Sequence, residues 1–208
     1  MKSVYAWLIA INIGFIFLIA LLSGCSSVPQ TPVREMKLAW HEMHDDYRAW
    51  TAHLVKEISA SNLAKQNPTD AKEICHGFER ADKVEFYAQL LSVMVRRESG
   101  FKPEEEYKED FKGQDGEYII SRGLLQISQE SANSYGCGIK EPSMLHNAKI
   151  NLTCGVKILS RWVERDQLVM GLKGKNLGCG RYWSVCRQTS NSYQKIREYM
   201  RGLAICKP

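Results

Sequence analysis

Apolar residues recur at helical spacing through most of the chain, with few glycines or prolines inside the repeats. The clearest helix runs from Asp82 to Ser99. The same pattern predicts a helical segment over Glu35–Lys65, a short helix carrying Cys75, and helices around Gly123–Ser134, Met144–Arg165 and Thr189–Leu203.

The stretch from Gly100 to Ser121 interrupts this pattern. It contains Pro103, Gly113 and Gly116, residue types that break helices and favour turns. Only Tyr118 to Ile120 has the composition of a strand, so the rest is expected to be loop. The sequence therefore predicts a mainly α (α+β) fold, a single helical domain with a minor β-hairpin or extended loop.

The N-terminal stretch is distinct from the rest of the chain. Lys2 precedes an apolar run from Val4 to Leu22, which is long enough to span a bilayer as a permanent helix. The run ends in Leu22-Ser23-Gly24-Cys25, which resembles the lipobox of bacterial lipoproteins. That resemblance implies that residues 1–24 are a signal peptide and that Cys25 becomes the lipidated N-terminus. Because Ser26 rather than aspartate follows, it also implies the outer membrane of the cell envelope.

Composition shifts divide the remainder. Residues 26–33 are polar and contain Pro29 and Pro32, so residues 25–33 are interpreted as the lipidated cysteine and its tether. Residues 34–78 form an N-terminal helical segment of unassigned role, either packed on the main domain or bound to a partner. Residues 79–208 are expected to form the main domain.

Composition and sequence signatures exclude few function classes other than nucleic-acid binding. The chain has 208 residues, 44% of them hydrophobic and 25% charged, with a formal net charge of +5, which is ordinary for a globular protein. A mild positive charge suits an anionic polymer such as the cell wall. The sequence has no recognition-helix signature and no arginine-rich arm, so no nucleic-acid partner is predicted.

Cysteine usage indicates an oxidising compartment. Seven cysteines are present, and with Cys25 assigned to lipid the other six predict three disulfides in an exported chain. Sequence alone leaves several pairings open. Local spacing favours two short bridges and leaves a third to join the ends of the domain: Cys137–Cys154, Cys179–Cys186 and Cys75–Cys206.

No metal site or cofactor is predicted. No two cysteines have the close spacing of a zinc site. His41, His44 and His53 lie near Asp45 in the N-terminal helical segment, but only some of them share a helix face. Surface histidines are the simpler interpretation.

Glu98 is the candidate catalytic residue. At about 100° per residue it falls in the middle of an apolar stripe of the Asp82–Ser99 helix, formed by Tyr87, Leu91, Met94 and Val95. A carboxyl group there is partly buried, which raises its pKa as a general acid near neutral pH requires. The helical wheel leaves open a glutamate that turns to solvent or pairs with Arg97.

Three motifs follow in order: Glu98-Ser99-Gly100-Phe101-Lys102-Pro103, then Gly123-Leu124-Leu125-Gln126-Ile127, then Asn151-Leu152 with Gly155 and Leu159. They resemble the E-S-x-x-x-P, G-L-M-Q-I and N-[IL]-x-x-G-x-x-x-L motifs of the soluble lytic transglycosylases, a lysozyme-like family. Leu125 stands where the family has methionine. The resemblance covers roughly Leu90 to Arg165.

This resemblance implies a lysozyme-like fold in which a groove beside the hairpin or loop binds peptidoglycan glycan strands. Glu98 takes the place of the family's single catalytic carboxylate, acting as acid and then base to leave a 1,6-anhydro sugar end. Gln126 is expected to line the groove and contact substrate, and Gly123 to let the backbone pass close. Ser99 is placed at the substrate site, supporting Glu98.

One family motif is altered. Its Ala-Tyr-Asn stretch has its best counterpart in Gly180–Ser184 (GRYWS), which keeps the tyrosine and lacks the asparagine. The alignment gives Tyr182 the role of the family's tyrosine, which reaches towards the catalytic glutamate. Trp183 is either a face on which sugar stacks or a core residue beside the Cys179–Cys186 loop.

Other functions remain open at this stage. A muramidase on the same fold is possible if a second carboxylate of the acidic run Glu104–Asp110, or one of Asp110, Asp115 and Glu117, faces Glu98 across the groove. A lipoprotein that binds peptidoglycan without cleaving it is the non-enzymatic alternative. A component of a secretion or conjugation machine, with envelope protein partners, is a third.

Overall fold

In the computed structural model, the fold is arranged around α3, a helix from Lys83 to Glu98. Asp82 caps its first turn by accepting hydrogen bonds from the N–H groups of Val84 and Glu85. Every residue from Phe86 to Val95 is buried. Over these turns α3 is therefore enclosed on all sides, and not only on the apolar face expected from its sequence.

The structure describes residues 35–171 and 174–208. The other elements are α1 (Tyr47–Ala60), α2 (Ala71–Ile74), β1 (Glu106–Lys112), β2 (Tyr118–Arg122), α4 (Gln129–Ser134), α5 (Ala148–Asp166) and α6 (Asn191–Gly202), with short 3₁₀ helices between them. The predicted mainly helical fold with a minor β-hairpin is confirmed.

Two predicted helices are shorter in the structure. The N-terminal helical segment forms turns over residues 39–46, and its helix begins only at Tyr47. The helix expected from Gly123 begins at Gln129, because residues 123–126 form turns. The short helix expected to carry Cys75 ends one residue before it.

The acidic run expected to be loop is a strand, and that prediction was wrong. β1 pairs antiparallel with β2, with Glu106 opposite Arg122 and Lys112 opposite Tyr118. Almost every residue of β1 is exposed, so the strand shows no alternation of apolar and polar residues. A register shift between Lys108 and Lys112 marks a bulge in β1.

The N-terminal helical segment packs against the rest of the domain, and Met36–Pro208 forms one compact unit. Helix α1 lies against α3 and α5. Polar groups of α3 bind this segment: Gln89 donates to the Lys37 carbonyl at 3.0 Å, and Ser92 Oγ accepts from the Ala39 N–H at 3.0 Å. These bonds let polar residues sit on a fully enclosed helix.

His41, His44 and His53, the histidines considered as metal ligands, contact different partners. His44 stacks on Trp50, His41 makes an edge contact with Tyr47, and His53 Nε2 lies 2.8 Å from Thr153 Oγ1. Within residues 35–171 and 174–208, no three histidine, cysteine, aspartate or glutamate side chains are grouped as a metal would require.

Three disulfides join the six cysteines of the main unit, and they have the pairing that local spacing favours. Two close short loops, and the third joins positions 131 residues apart: Cys137–Cys154, Cys179–Cys186 and Cys75–Cys206. The long-range bridge fixes the chain before α3 to the segment after α6.

The predictions for the N-terminus concern residues outside those that the structure describes. They include the signal peptide at 1–24, lipidation of Cys25 and the tether at 25–33. Within the described part of the chain, no helix combines the length and apolar character needed to cross a membrane.

Candidate active site

A groove of about 600 Å³ opens at the C-terminal end of α3, where Glu98 lies. Gly100 (φ 60°) and Phe101 (φ 70°) turn the chain away from the helix in left-handed conformations. Three parts of the fold form the groove walls: the β1–β2 hairpin, the region around the start of α4, and residues 182–187.

The surroundings of the Glu98 carboxyl group favour its protonated form. Its Oε1 atom is buried and has no hydrogen-bond partner among the described residues. Burial, reinforced by the nearby Glu109 carboxylate and opposed by Arg187, raises the pKa of Glu98 to about 8. At neutral pH the group is therefore mainly protonated and can act as an acid.

Ser99 lies beneath the groove and is not one of its lining residues. Its side chain is 6% exposed, and its hydroxyl donates to the Leu124 carbonyl at 3.0 Å and to the Val95 carbonyl at 3.3 Å. The expected substrate contact is replaced by a structural one, since the hydroxyl links the end of α3 to the loop that carries Gln126.

Asn151 fixes that loop from the other side. Its fully buried side chain accepts from the Leu125 N–H at 2.8 Å. It also donates to the carbonyl groups of Arg122 and Leu145, both at 2.9 Å. The second and third sequence motifs are thus bound to each other by one amide.

Two glycines allow this close packing. Gly123 has φ 74°, and a Cβ there would lie 2.1 Å from the Leu145 carbonyl oxygen. A Cβ at Gly155 in α5 would lie 2.1 Å from Leu125 Cδ1. Position 123 therefore has room only for glycine, because the clash there is with backbone, whereas a side chain at position 155 would require the Leu125 side chain to move.

Gln126 reaches the groove from this fixed loop, in a left-handed conformation with φ 46°. Its amide nitrogen donates to the carbonyl groups of Gly123 at 2.8 Å and Glu105 at 3.1 Å. Its Oε1 is buried without a partner among the residues that the structure describes. Two backbone carbonyl groups therefore hold the Gln126 side chain in place at the groove.

Tyr182 and Trp183 both border the groove, with different exposure. Tyr182 is half-buried, and burial raises its pKa to about 12, so the hydroxyl stays protonated. Trp183 is 2% exposed, and its indole N–H donates to the Leu125 carbonyl at 2.8 Å. Of the two interpretations of Trp183, the structure places the ring in the core, with little surface left for stacking.

The family model described as transglycosylase SLT domain matches residues 77–196. The chain belongs to this transglycosylase family. Its members are lytic transglycosylases, lyases that act on peptidoglycan, so the chain is an enzyme of that class with a lysozyme-like fold.

Solved structures of Bd0314 DslA are similar over most of the chain. The wild-type protein in form 2 has 40% sequence identity and a TM-score of 0.78, covering 82% of this chain and 97% of that one. A glutamate-to-glutamine variant has 39% identity and a TM-score of 0.79, covering 84% and 100%. Comparison with curated proteins found no match.

Two further carboxylates, those of Glu109 and Glu130, line the transglycosylase groove with Glu98. Glu109 of β1 lines the groove with Glu98, and its Oε1 accepts from the Ser121 hydroxyl at 2.6 Å. Glu109 belongs to the acidic run Glu104–Asp110, which the sequence offered as a source of a second carboxylate, whereas Asp110, Asp115 and Glu117 do not line the groove. Only recognition of β1 as a strand would have shown which acidic residues face inward.

Arg187 supplies a positive charge to the same groove. Its Nε donates to the Gly180 carbonyl at 3.0 Å, which fixes the guanidinium group near the transglycosylase's Glu98. This charge favours the ionised form of Glu98, against burial and Glu109. The position has no local sequence signal, because the role of Arg187 depends on how residues 178–187 fold.

Proposed function

We propose that the chain is a membrane-anchored lytic transglycosylase that cleaves the bond between N-acetylmuramic acid and N-acetylglucosamine, leaving a 1,6-anhydro end. The observation that supports this most directly is Glu98. Its carboxyl group lies in the groove, Oε1 is buried with no hydrogen-bond partner among the residues described, and burial raises its pKa to about 8. A general acid at neutral pH needs such a group.

The reaction balances with this one carboxyl group. Glu98 gives its proton to the glycosidic oxygen, and the bond from that oxygen to C1 of the muramic acid breaks. The 6-hydroxyl oxygen of the same sugar bonds to C1, and the Glu98 carboxylate takes the proton which that hydroxyl loses. Glu98 returns to its starting form, and no water is consumed.

The surroundings of Glu98 suit both halves of this cycle. Burial and the Glu109 carboxylate disfavour the ionised form, which makes ionised Glu98 a stronger base for the 6-hydroxyl proton. Arg187 limits that effect by stabilising the negative charge while it exists.

A muramidase is the second candidate, and Glu109 is the observation that favours it. Hydrolases of glycosidic bonds usually need two carboxylates flanking the scissile bond, and Glu98 and Glu109 line one groove. In DslA, the glutamates replaced in two variants are eleven positions apart, the same separation as Glu98 and Glu109. With two carboxylates in place, water can take the role of the 6-hydroxyl group.

Product mass separates the two reactions. Detergent-solubilised full chain is incubated with purified peptidoglycan, and the released muropeptides are weighed by mass spectrometry. We expect anhydro products, one water lighter than hydrolysed ones, from the parent chain and from Glu109→Gln. Glu104→Gln is the matched control, because Glu104 is exposed and outside the groove.

Two outcomes would change the assignment. Hydrated products that disappear in Glu109→Gln but persist in Glu104→Gln would establish the muramidase, with Glu109 as the second carboxylate. No release from any chain would leave a peptidoglycan-binding lipoprotein as the function to test.

The membrane anchor is a separate part of the proposal and rests on the lipobox-like sequence ending in Cys25. Two or more acyl chains hold a protein stably in a bilayer, whereas a single chain does not. We expect the full chain to sediment with outer membranes and Cys25→Ser to lose lipid labelling and change cell fraction. Cys25→Ser that still carried label and stayed in the outer membrane would contradict the anchor.

A further inference from the structure

The aromatic residues that border the groove are not equally available to a sugar ring. Trp183 is 2% exposed, with its indole N–H bound to a backbone carbonyl. The Tyr182 ring is packed edge-on between Tyr135 at 5.9 Å and Trp183 at 4.8 Å. Phe111 of β1 also lines the groove, and it is 56% exposed. An open aromatic ring thus lies on the hairpin wall.

Phe111 lies in the irregular part of β1. Between Lys108 and Lys112 the register shifts, and such irregularities re-aim side chains. Glu109 and Phe111 both fall in this interval and both line the groove. The ammonium groups of the flanking residues Lys108 and Lys112 lie 4.1 and 5.2 Å from the centre of the Tyr118 ring, and Lys112 also lines the groove.

We propose that Phe111 is the surface on which the transglycosylase groove stacks one N-acetylhexosamine ring of the glycan strand. The inference rests on the proposed function only in that the ligand is a peptidoglycan glycan. A hexosamine ring has a face of C–H groups that packs on an aromatic π face, and the ring buries area that is otherwise left in water. Phe111 is two positions from Glu109, so the stacked sugar lies beside the carboxylates.

Phe111, called here the stacking platform, has no hydrogen-bonding group on its side chain and so cannot take part in proton transfer. It holds a ring in position and takes no proton, so it is expected to act on binding and to leave the chemical step unchanged. Its absence should raise KM and leave kcat and the type of product as they are.

Binding is tested in a chain that cannot turn over its ligand. Full chain carrying Glu98→Gln is mixed with insoluble purified peptidoglycan, and the free fraction is measured after sedimentation. Adding Phe111→Ala is expected to weaken binding about tenfold, the equivalent of about 1.4 kcal/mol. Phe111→Trp is expected to keep or restore affinity, since it preserves a stacking face.

Tyr107→Ala is the matched control. Tyr107 is on the same strand, is 60% exposed and does not line the groove. Equal binding with and without Phe111→Ala, or an equal loss in Tyr107→Ala, would overturn the proposal. A loss in Phe111→Ala that Phe111→Trp failed to restore would also overturn it.

The result does not depend on which reaction the enzyme catalyses. If the active chain released no product but Phe111→Ala still lost binding in the Glu98→Gln background, the proposed reaction would fail and the platform would stand. If product release occurred but Phe111→Ala kept its affinity and KM, the platform would fail and the reaction would stand.

Discussion

Replacing Glu98 by glutamine is expected to lower the rate of peptidoglycan cleavage by about 100- to 10,000-fold, the range that a general acid or base contributes. Glutamine keeps the size and shape of the side chain but has no proton to give at neutral pH. Because Oε1 of Glu98 has no hydrogen-bond partner in the described part of the chain, no protein contact is lost through that atom. The rate is measured as release of soluble muropeptides.

The control for this variant is Glu104→Gln, which changes an exposed acid near the groove. Its rate is expected to equal that of the parent. A Glu98→Gln chain that kept most of the parent rate would rule out Glu98 as the acid and would make Glu109 the next residue to replace.

The raised pKa of Glu98 gives the parent chain a pH dependence that Glu98→Gln lacks. Burial, with a smaller contribution from Glu109, raises the pKa of Glu98 from 4.5 to about 8, so kcat/KM should fall as pH rises through about 8. Between these values the folded state holds a proton that the unfolded chain has lost. The stability that this retained proton contributes is complete below the pKa of Glu98 in the unfolded chain. It is lost as pH rises through the pKa of Glu98 in the folded protein.

Glu98→Gln has no such proton. The free energy of unfolding of Glu98→Gln should therefore increase relative to that of the parent as pH rises from 4.5 to about 8. Denaturant unfolding of both chains at several pH values measures the difference between their unfolding free energies. Groups that titrate equally in both chains do not contribute to this difference. A constant difference across the window would show that the pKa of Glu98 is not raised in the folded protein.

The sequence predicted α3 well because its signals are local. Asp82 is the N-cap and Ser99 the C-cap of the observed helix, and both types of cap act within a few residues. Apolar spacing also placed Glu98 next to the core. It did not reveal that α3 is enclosed on all sides, because Gln89 and Ser92 are satisfied by groups more than fifty positions away.

The parts of the site that were missed depend on contacts distant in sequence. β1 is exposed on almost every residue, so no alternation identifies it and Glu109 and Phe111 were not distinguished from their neighbours. Residues 123–126 were assigned to a helix, whereas Ser99 and Asn151 hold them in turns. Trp183 could be read as surface or core, since its burial depends on Leu125, whose carbonyl accepts its indole N–H.

Replacing Asn151 by leucine is expected to cost about 2 to 6 kcal/mol of unfolding free energy, because each buried group left without a partner costs about 1 to 3. Two such groups lose their partner, the Leu125 N–H and the Leu145 carbonyl, whereas the Arg122 carbonyl keeps its bond from the Ile127 N–H at 3.0 Å. Leucine has the same branched arrangement of side-chain heavy atoms as asparagine and brings no polar atom. The measurement is denaturant unfolding with the disulfides intact.

Asn147→Leu is the matched control for Asn151→Leu, since it is the same change one helical turn earlier in α5. Asn147 is exposed and caps the helix by accepting from the Lys149 and Ile150 N–H groups, a role worth about 1 kcal/mol. If both variants lost the same small amount, the buried amide would not be what holds the loop. If Asn151→Leu alone lost the larger amount, it should also lose activity before it unfolds, because the freed loop is the one that places Gln126 beside Glu98.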